Sequence, residues 1–446
     1  MAYNIPSYVE TIINSLEKTG YNAFLVGGSI RDIIIGKKPS DYDISTDAKP
    51  DEIKEVFKEF KTIEVGKKFG TIIVVQEEGA VEVTTFRREG EYKDGRRPEF
   101  VSFSKDIKED LNRRDFTINA MAYNEKTGVI DPFGGKGNLE NKIIKTVGNP
   151  ENRFREDYLR IIRAVRFAAQ LNFDIDEETY LACNKYKDFL LNISIERVRD
   201  ELFKILLCEK PSNGIELLKD LGILKIFLPE IIPAIDFNQH NPHHDKDVYN
   251  HILCVLDNTP PVLQVRIGAL FHDIGKPHTL TIDNEGVGHF YGHDKVGAEI
   301  VSEVLRRWKC SNELIEKVST LVREHMTQHA NYKEKGLKKL IARVGEDEIF
   351  NLLALQKADR SCSNEKADIS SLLERENKIK DILYNKEAYN INQLDLDGRD
   401  ILELGYKEGK IIGEILDYLL EQVMEKPDLN KKDLLIKNTL KKFPLK

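Results

Sequence analysis

The chain has 446 residues, 41% of them apolar and 32% charged, with a formal net charge of −8. That is too long for a single hydrophobic core, so about two to four domains are expected in what reads as a soluble globular protein. No run approaches the length of a membrane-spanning helix, and the start of the chain has no basic cluster of the kind that opens a secretory signal, so no membrane contact is expected. Five cysteines (Cys183, Cys208, Cys254, Cys310 and Cys362) lie at wide spacings with no C-x-x-C pair. This argues for a reducing, cytoplasmic location and against both a disulfide framework and a thiolate zinc site. The acidic total is unusual for a nucleic-acid enzyme, yet positive charge gathers locally at Arg153, Arg155, Arg160, Arg163 and Arg166.

In chain order, a helical pattern at Tyr8–Val9–Ile12–Ile13–Leu16 comes first, followed by short β-rich runs at Ala23–Val26, Thr71–Val75 and Val81–Phe86. From about residue 140 the strand signals fade. Apolar residues then recur three and four apart, as in Leu159–Ile162–Ala164–Val165–Phe167–Ala168 and Val198–Leu202–Ile205–Leu206. The Gly-Asn-Pro stretch at 148–150 is a candidate junction between these textures, and a further break falls at Asn238 to His244. All ten histidines lie between His240 and His329.

The segment FLVGGSIRDIIIGKKPSDYDISTD at 24–47 carries the strongest chemical signal. An apolar strand runs into Gly27–Gly28, where the missing side chains let a ligand approach the backbone. A helix begins there, offering free N–H groups to phosphate, with Arg31 one turn on as a charged partner. In Asp41–Tyr42–Asp43, residues two apart on a strand face the same way, so both carboxylates would converge while Tyr42 turns inward. Like charges so placed invite a cation. Magnesium suits such oxygen ligands together with substrate phosphates, and Glu82 is a candidate third carboxylate. The spacing of Asp157, Arg160, Arg163 and Arg166 would form a drifting stripe on one helix side, where acceptors and rigid donor forks can imitate a complementary base edge.

These motifs resemble the DNA polymerase β-like nucleotidyltransferase superfamily, and more narrowly the bacterial (class II) CCA-adding tRNA nucleotidyltransferase and poly(A) polymerase family. RRDFTINAMA at 113–122 resembles that family's sugar- and triphosphate-binding segment, which implies that Arg114 contacts the nucleotide. REDYLRIIRAVRFA at 155–168 resembles the helix that reads the incoming base. FRREGEYKDGRRPEFVSF at 86–103 resembles the flexible loop of enzymes that add the terminal adenosine, and GKKFGT at 66–71 looks more like the tRNA enzymes than the polyadenylating ones. The resemblance spans roughly residues 20–230. Farther on, His251, His272–Asp273 in LFHDIGKP, His293, His325 and Asp359 resemble the metal ligands of the HD phosphohydrolase superfamily. Imidazole with carboxylate suits nickel, cobalt, manganese or iron better than magnesium, and a second metal there would favour phosphoester hydrolysis.

The resemblance implies an α+β protein. A polymerase β-like catalytic domain (1–140) with a small mixed sheet would precede an all-α neck and body (141–235), an all-α HD domain (236–362) and a helical tRNA-binding region (363–446). The expected activity is template-independent addition of CCA to the tRNA 3′ acceptor end from CTP and ATP, on magnesium held by Asp41, Asp43 and Glu82. Gly28, Arg31, Arg114, Asp157, Arg160, Arg163 and Arg166 would bind the nucleotide. The rival expectations are an A-only-adding enzyme or poly(A) polymerase, an HD phosphohydrolase with a regulatory nucleotide-binding domain, and a non-catalytic RNA scaffold.

Overall fold

The spacing Val9–Ile12–Ile13–Leu16 puts four apolar side chains on one face of α1 (Ser7–Lys18), and all four are buried. Beside it runs β1 (Ala23–Val26), buried along its whole length. Gly27 turns the chain at φ 72°, and α2 (Gly28–Ile34) starts at once. Next come β2 (Asp43–Thr46), α3 (Pro50–Val56), β3 (Lys61–Glu64), β4 (Thr71–Val75) and β5 (Ala80–Thr85). A hairpin of β6 (Arg87–Glu89) and β7 (Val101–Phe103), α4 (Ile107–Asn112), β8 (Ala122–Asn124) and β9 (Gly128–Ile130) complete this region. Among the described residues the main sheet holds seven strands in the order β3-β4-β5-β2-β1-β8-β9. The sheet is mixed: β2 and β5 run parallel and the other neighbours antiparallel. The parallel register sets Asp43 opposite Glu82. Phe24, Val26, Phe86, Leu111 and Ala120 form a core beneath it.

The helical part continues with α5 (Gly135–Glu140), β10 (Ile143–Ile144), α6 (Pro150–Glu156), α7 (Leu159–Leu171) and β11 (Asp174–Ile175), which pairs with β10. Then follow α8 (Glu177–Tyr186), α9 (Ile195–Leu206), α10 (Pro211–Asp220) and α11 (Ile223–Phe227). The apolar spacing in α7 and α9 is fully used, because every residue of the two expected patterns is buried. The segment at 155–168 is two elements rather than one helix. Asp157 has extended backbone (φ −154°, ψ 106°) between α6 and α7, so only the three arginines share a helix. Gly148–Pro150 is a helix start: Asn149 Oδ1 accepts a hydrogen bond from Asn152 N at 3.1 Å, and Pro150 occupies the first turn.

The computed structural model describes residues 3–65, 70–90, 100–240, 247–363 and 368–445. Most of GKKFGT at 66–71, the middle of the 86–103 loop, and His243 and His244 therefore lie outside the described residues. The chain forms two compact units, Met1–Phe227 and Leu228–Lys446. The second is helical, with α12 (Val248–Asn258), α13 (Leu263–Phe271), α14 (Lys276–Thr279), the ribbon β12 (Thr281–Ile282) and β13 (Gly288–His289), α15 (His293–Arg307) and α16 (Asn312–Glu324). α17 (Glu334–Val344), α18 (Ile349–Ser363), α19 (Ser370–Tyr384), α20 (Gly398–Glu403), α21 (Lys410–Glu425) and α22 (Lys432–Lys442) follow. Ile401, Ile415, Leu419 and Leu435 make a separate core among the last helices. No helix among the described residues is long and apolar enough to cross a membrane.

One expectation from the cysteines is corrected. Cys254 on α12 and Cys362 on α18 form a disulfide, their Cα atoms 5.9 Å apart across a sequence separation of 108. Packing of α12 against α18 makes this pair, and linear spacing carries no trace of it.

Candidate active site and metal centre

In the first unit a cleft of about 1000 Å³ opens over the ends of β1 and β2. Asp41, Asp43 and Glu82 line it together, with Asp41 exposed just before β2 and Asp43 on the strand itself. Tyr42 points the other way and is buried. Burial, Glu82 and Asp41 push the Asp43 carboxyl up to about 6, against the opposite pull of Arg114. Three carboxylates so arranged repel one another, and a divalent cation between them is the natural relief. Gly27 borders the same point. A Cβ there would lie 2.9 Å from Arg114 Nη1 and 3.4 Å from Asp43 Oδ2, at a φ that side chains avoid.

The cationic side of the cleft holds Arg31, Arg114, Arg160, Arg163 and Arg166, together with Gly28 and Asp157. All the residues expected to bind nucleotide therefore converge on one cavity, but their mutual pairing is not the expected one. Among the described residues the side chains of Asp157 and Arg160 do not pair; the Arg160 N–H donates to the Asp157 carbonyl at 3.0 Å instead. Arg160 is buried, donating to the Arg153 carbonyl at 2.9 Å and to Glu156. Asp157 instead accepts a two-point contact from Arg197 of α9, at 2.6 and 3.3 Å. Arg163 forks onto Asp115 at 2.5 and 2.8 Å. Burial would raise the Asp115 pKa, but Arg163 and Arg160 outweigh it and hold the carboxyl well below its usual range. Asn119 joins this network, accepting from Arg31 at 2.8 Å and donating to Asp115 at 3.4 Å. The guanidinium groups of Arg31, Arg163 and Arg166 also surround the Phe167 ring, 3.8 to 5.4 Å from its centroid.

In the second unit, His251, His272, Asp273, His293, His325 and Asp359 come together, and all are buried. Asp273 is central. Its Oδ2 lies 3.6 Å from His251 Nε2 and 3.4 Å from His272 Nε2. Its Oδ1 lies 3.4 Å from His293 Nε2 and 3.8 Å from His325 Nε2. Asp359 Oδ1 is 3.0 Å from His251 Nε2. Two potential metal-binding groups thus share one carboxylate. The tautomers suit ligation: His272, His293 and His325 each donate Nδ1–H to the carbonyl three residues back (Ala269, Phe290 and Val322), turning Nε2 to the centre. His272 Nε2 is buried with no hydrogen-bond partner among the described residues, as a ligand atom would be. Burial, His272 and His293 lower the His325 pKa to about 4, keeping it neutral. Gly275 lets α15 approach, since a Cβ there would lie 2.2 Å from the His293 carbonyl.

Comparison with known proteins finds family models in both units. Residues 23–145 match the family model for the poly A polymerase head domain, 172–235 that for the probable RNA and SrmB-binding site of polymerase A, and 251–364 the HD domain. The CCA-adding enzyme of Ligilactobacillus salivarius is 32% identical over 98% of this chain and 98% of its own length. The chain belongs to the CCA-adding enzyme family. The CCA-adding enzyme of Geobacillus kaustophilus is 47% identical over 50% of this chain and 55% of its own. The crystal structure of the Bacillus stearothermophilus CCA-adding enzyme in complex with CTP superposes with a TM-score of 0.73 at 26% identity, covering 98% of this chain and 99% of that one. Within this family member, sequence reading missed Asp115, Asn119, Arg197 and Glu201. The first two sit inside the quoted 113–122 motif, but the α9 pair has no local signature.

Proposed function

We propose that this protein adds or repairs the 3′-terminal CCA of tRNA, without a template, from CTP and ATP. The observation that carries the reading is the convergence of Asp41, Asp43 and Glu82 with an arginine-lined cleft in one unit. The three carboxylates fit magnesium, which when bound would neutralise the triphosphate and lower the pKa of the attacking 3′-hydroxyl. Arg31, Arg114 and the Gly28 backbone would hold the triphosphate. Asp157, Arg163 and Arg166 would present donors and acceptors to the base, with Arg160 fixing the α6–α7 junction from behind. The helices after residue 141 would take the acceptor arm by shape and backbone, as duplex RNA is generally read. We assign residues 1–140 to catalysis, 141–235 to the neck and body, 236–362 to the HD domain and 363–446 to tRNA binding. On this reading the protein works in the cytoplasm, where tRNA and nucleoside triphosphates are found.

The test is extension of tRNA transcripts ending at the discriminator, at C and at CC, each with CTP, ATP or both. Growth of all three to CCA supports the proposal. Addition of A to the CC end alone would identify an A-only enzyme, and unlimited A addition a poly(A) polymerase. For the second unit we propose a transition-metal site for nickel, cobalt, manganese or iron, held by His251, His272, Asp273, His293, His325 and Asp359, with phosphatase or 2′,3′-cyclic phosphodiesterase activity. Its support is the nitrogen–oxygen donor set converging on the shared Asp273 carboxylate.

A further inference from the structure

α9 packs along α7 and carries Arg197, which lines the cleft, and the buried Glu201 four residues on along the same face. Each is tied to a group assigned above to base reading. Arg197 forks onto Asp157 through both carboxylate oxygens. Glu201, buried at 4% exposure, pairs with Arg166 Nε at 2.6 Å and lies 3.9 Å from Arg163 Nη1. Asp157 needs such support. It belongs to no helix, and among the described residues its carboxylate accepts one other hydrogen bond, from the Leu159 N–H at 3.1 Å. A carboxylate free to rotate accepts from donors in many places and so distinguishes bases poorly. One clamped by a planar fork offers its remaining lone pairs in a fixed direction.

We propose that Arg197 is the positioning residue that sets nucleotide choice by holding the Asp157 carboxylate in register with the incoming base, while Glu201 one turn on holds Arg166. The inference deepens the reading of Asp157 as a base-reading group and rests on it. It makes α9 a second layer of the protein's template: α7 and the α6–α7 junction present the groups, and α9 aims them.

The experiment measures steady-state addition of each of the four nucleoside triphosphates to C- and CC-ended tRNA. It uses the full chain and its Arg197→Ala, Arg197→Gln, Arg197→Lys and Asp157→Ala variants, with thermal melting of each. Removing a charged hydrogen-bonding partner should erode the preference for the correct nucleotide by about tenfold to a hundredfold. That loss should appear chiefly as a raised KM for the correct nucleotide, with kcat little changed and melting as in the parent. Arg197→Lys, which keeps the charge but not the fork, should recover part of the preference. Should the alanine variant fail to fold, the glutamine and lysine variants are judged by the same ratios. Arg197 variants as selective as the parent, beside an unselective Asp157→Ala, overturn this inference alone. If Asp157→Ala also stays selective, the base-reading assignment falls and takes the inference with it. An equal loss with all four nucleotides makes Arg197 a general structural or RNA-binding residue and likewise overturns the proposal.

Discussion

Asp43 offers a test in which stability and catalysis move in opposite directions. In the metal-free protein its carboxyl is raised from 3.8 to about 6 by burial and by Glu82 and Asp41. A group whose folded pKa exceeds its unfolded value holds its proton more tightly in the fold. Its full stabilising contribution is therefore present below about pH 4 and is lost as pH rises to about 6. Ionising Asp43 at neutral pH thus costs the metal-free first unit about 3 kcal/mol. Asp43→Asn removes that cost while keeping the shape. At pH 7.5 in a chelator its Tm should exceed the parent's by roughly 6–12 °C, and the gap should close near pH 4. Magnesium should raise the parent's Tm and leave the variant's almost unmoved. Nucleotide addition by the variant should fall by about a thousandfold, since a lost metal position costs several kcal/mol of transition-state stabilisation. The assay is thermal unfolding across pH with and without magnesium, paired with tRNA extension. Equal Tm values in chelator at pH 7.5, or equal magnesium stabilisation of both proteins, would refute the reasoning.

Three further outcomes are expected. Gly27→Ala puts a Cβ 2.9 Å from Arg114 Nη1 at a left-handed φ, and should cost about 1–2 kcal/mol of stability and most of the activity; melting and extension assays measure both. His272→Ala with Asp273→Ala should abolish bound transition metal and any phosphodiesterase activity while leaving most CCA addition intact, as metal analysis beside both assays will show. Reduction of the Cys254–Cys362 bond, which spans 108 residues, should destabilise the second unit by about 4–5 kcal/mol on a chain-entropy view, read by denaturant unfolding with and without reductant.

What the sequence revealed was mostly what local periodicity and short motifs can encode. The strand–Gly-Gly–helix turn and the inward Tyr42 between two carboxylates follow from neighbours along the chain, whereas the histidine ligand set, spread from His251 to Asp359, is implied by family resemblance. Pairing across elements was not visible. Asp157 and Arg160 look like side-chain partners three residues apart, yet Asp157 sits in the extended break between α6 and α7 while Arg160 is on α7. Their true partners, Arg197 for Asp157 and Glu156 for Arg160, are decided by how α7 packs on α9 and how α6 ends. The same limit hid the Cys254–Cys362 bond, which exists only because α12 lies along α18.

The three histidines that donate to carbonyls three residues back carry a kinetic consequence. Their orientation is set by these nearby backbone bonds beside the shared Asp273 carboxylate, so the ligand atoms are ordered before any ion arrives. Loading such a site freezes little additional motion. Release, conversely, cannot proceed by one ring swinging away. It has to wait for the ends of α13 and α16 and the start of α15 to unwind, so the exchange of a bound ion should keep time with fraying of those helix ends.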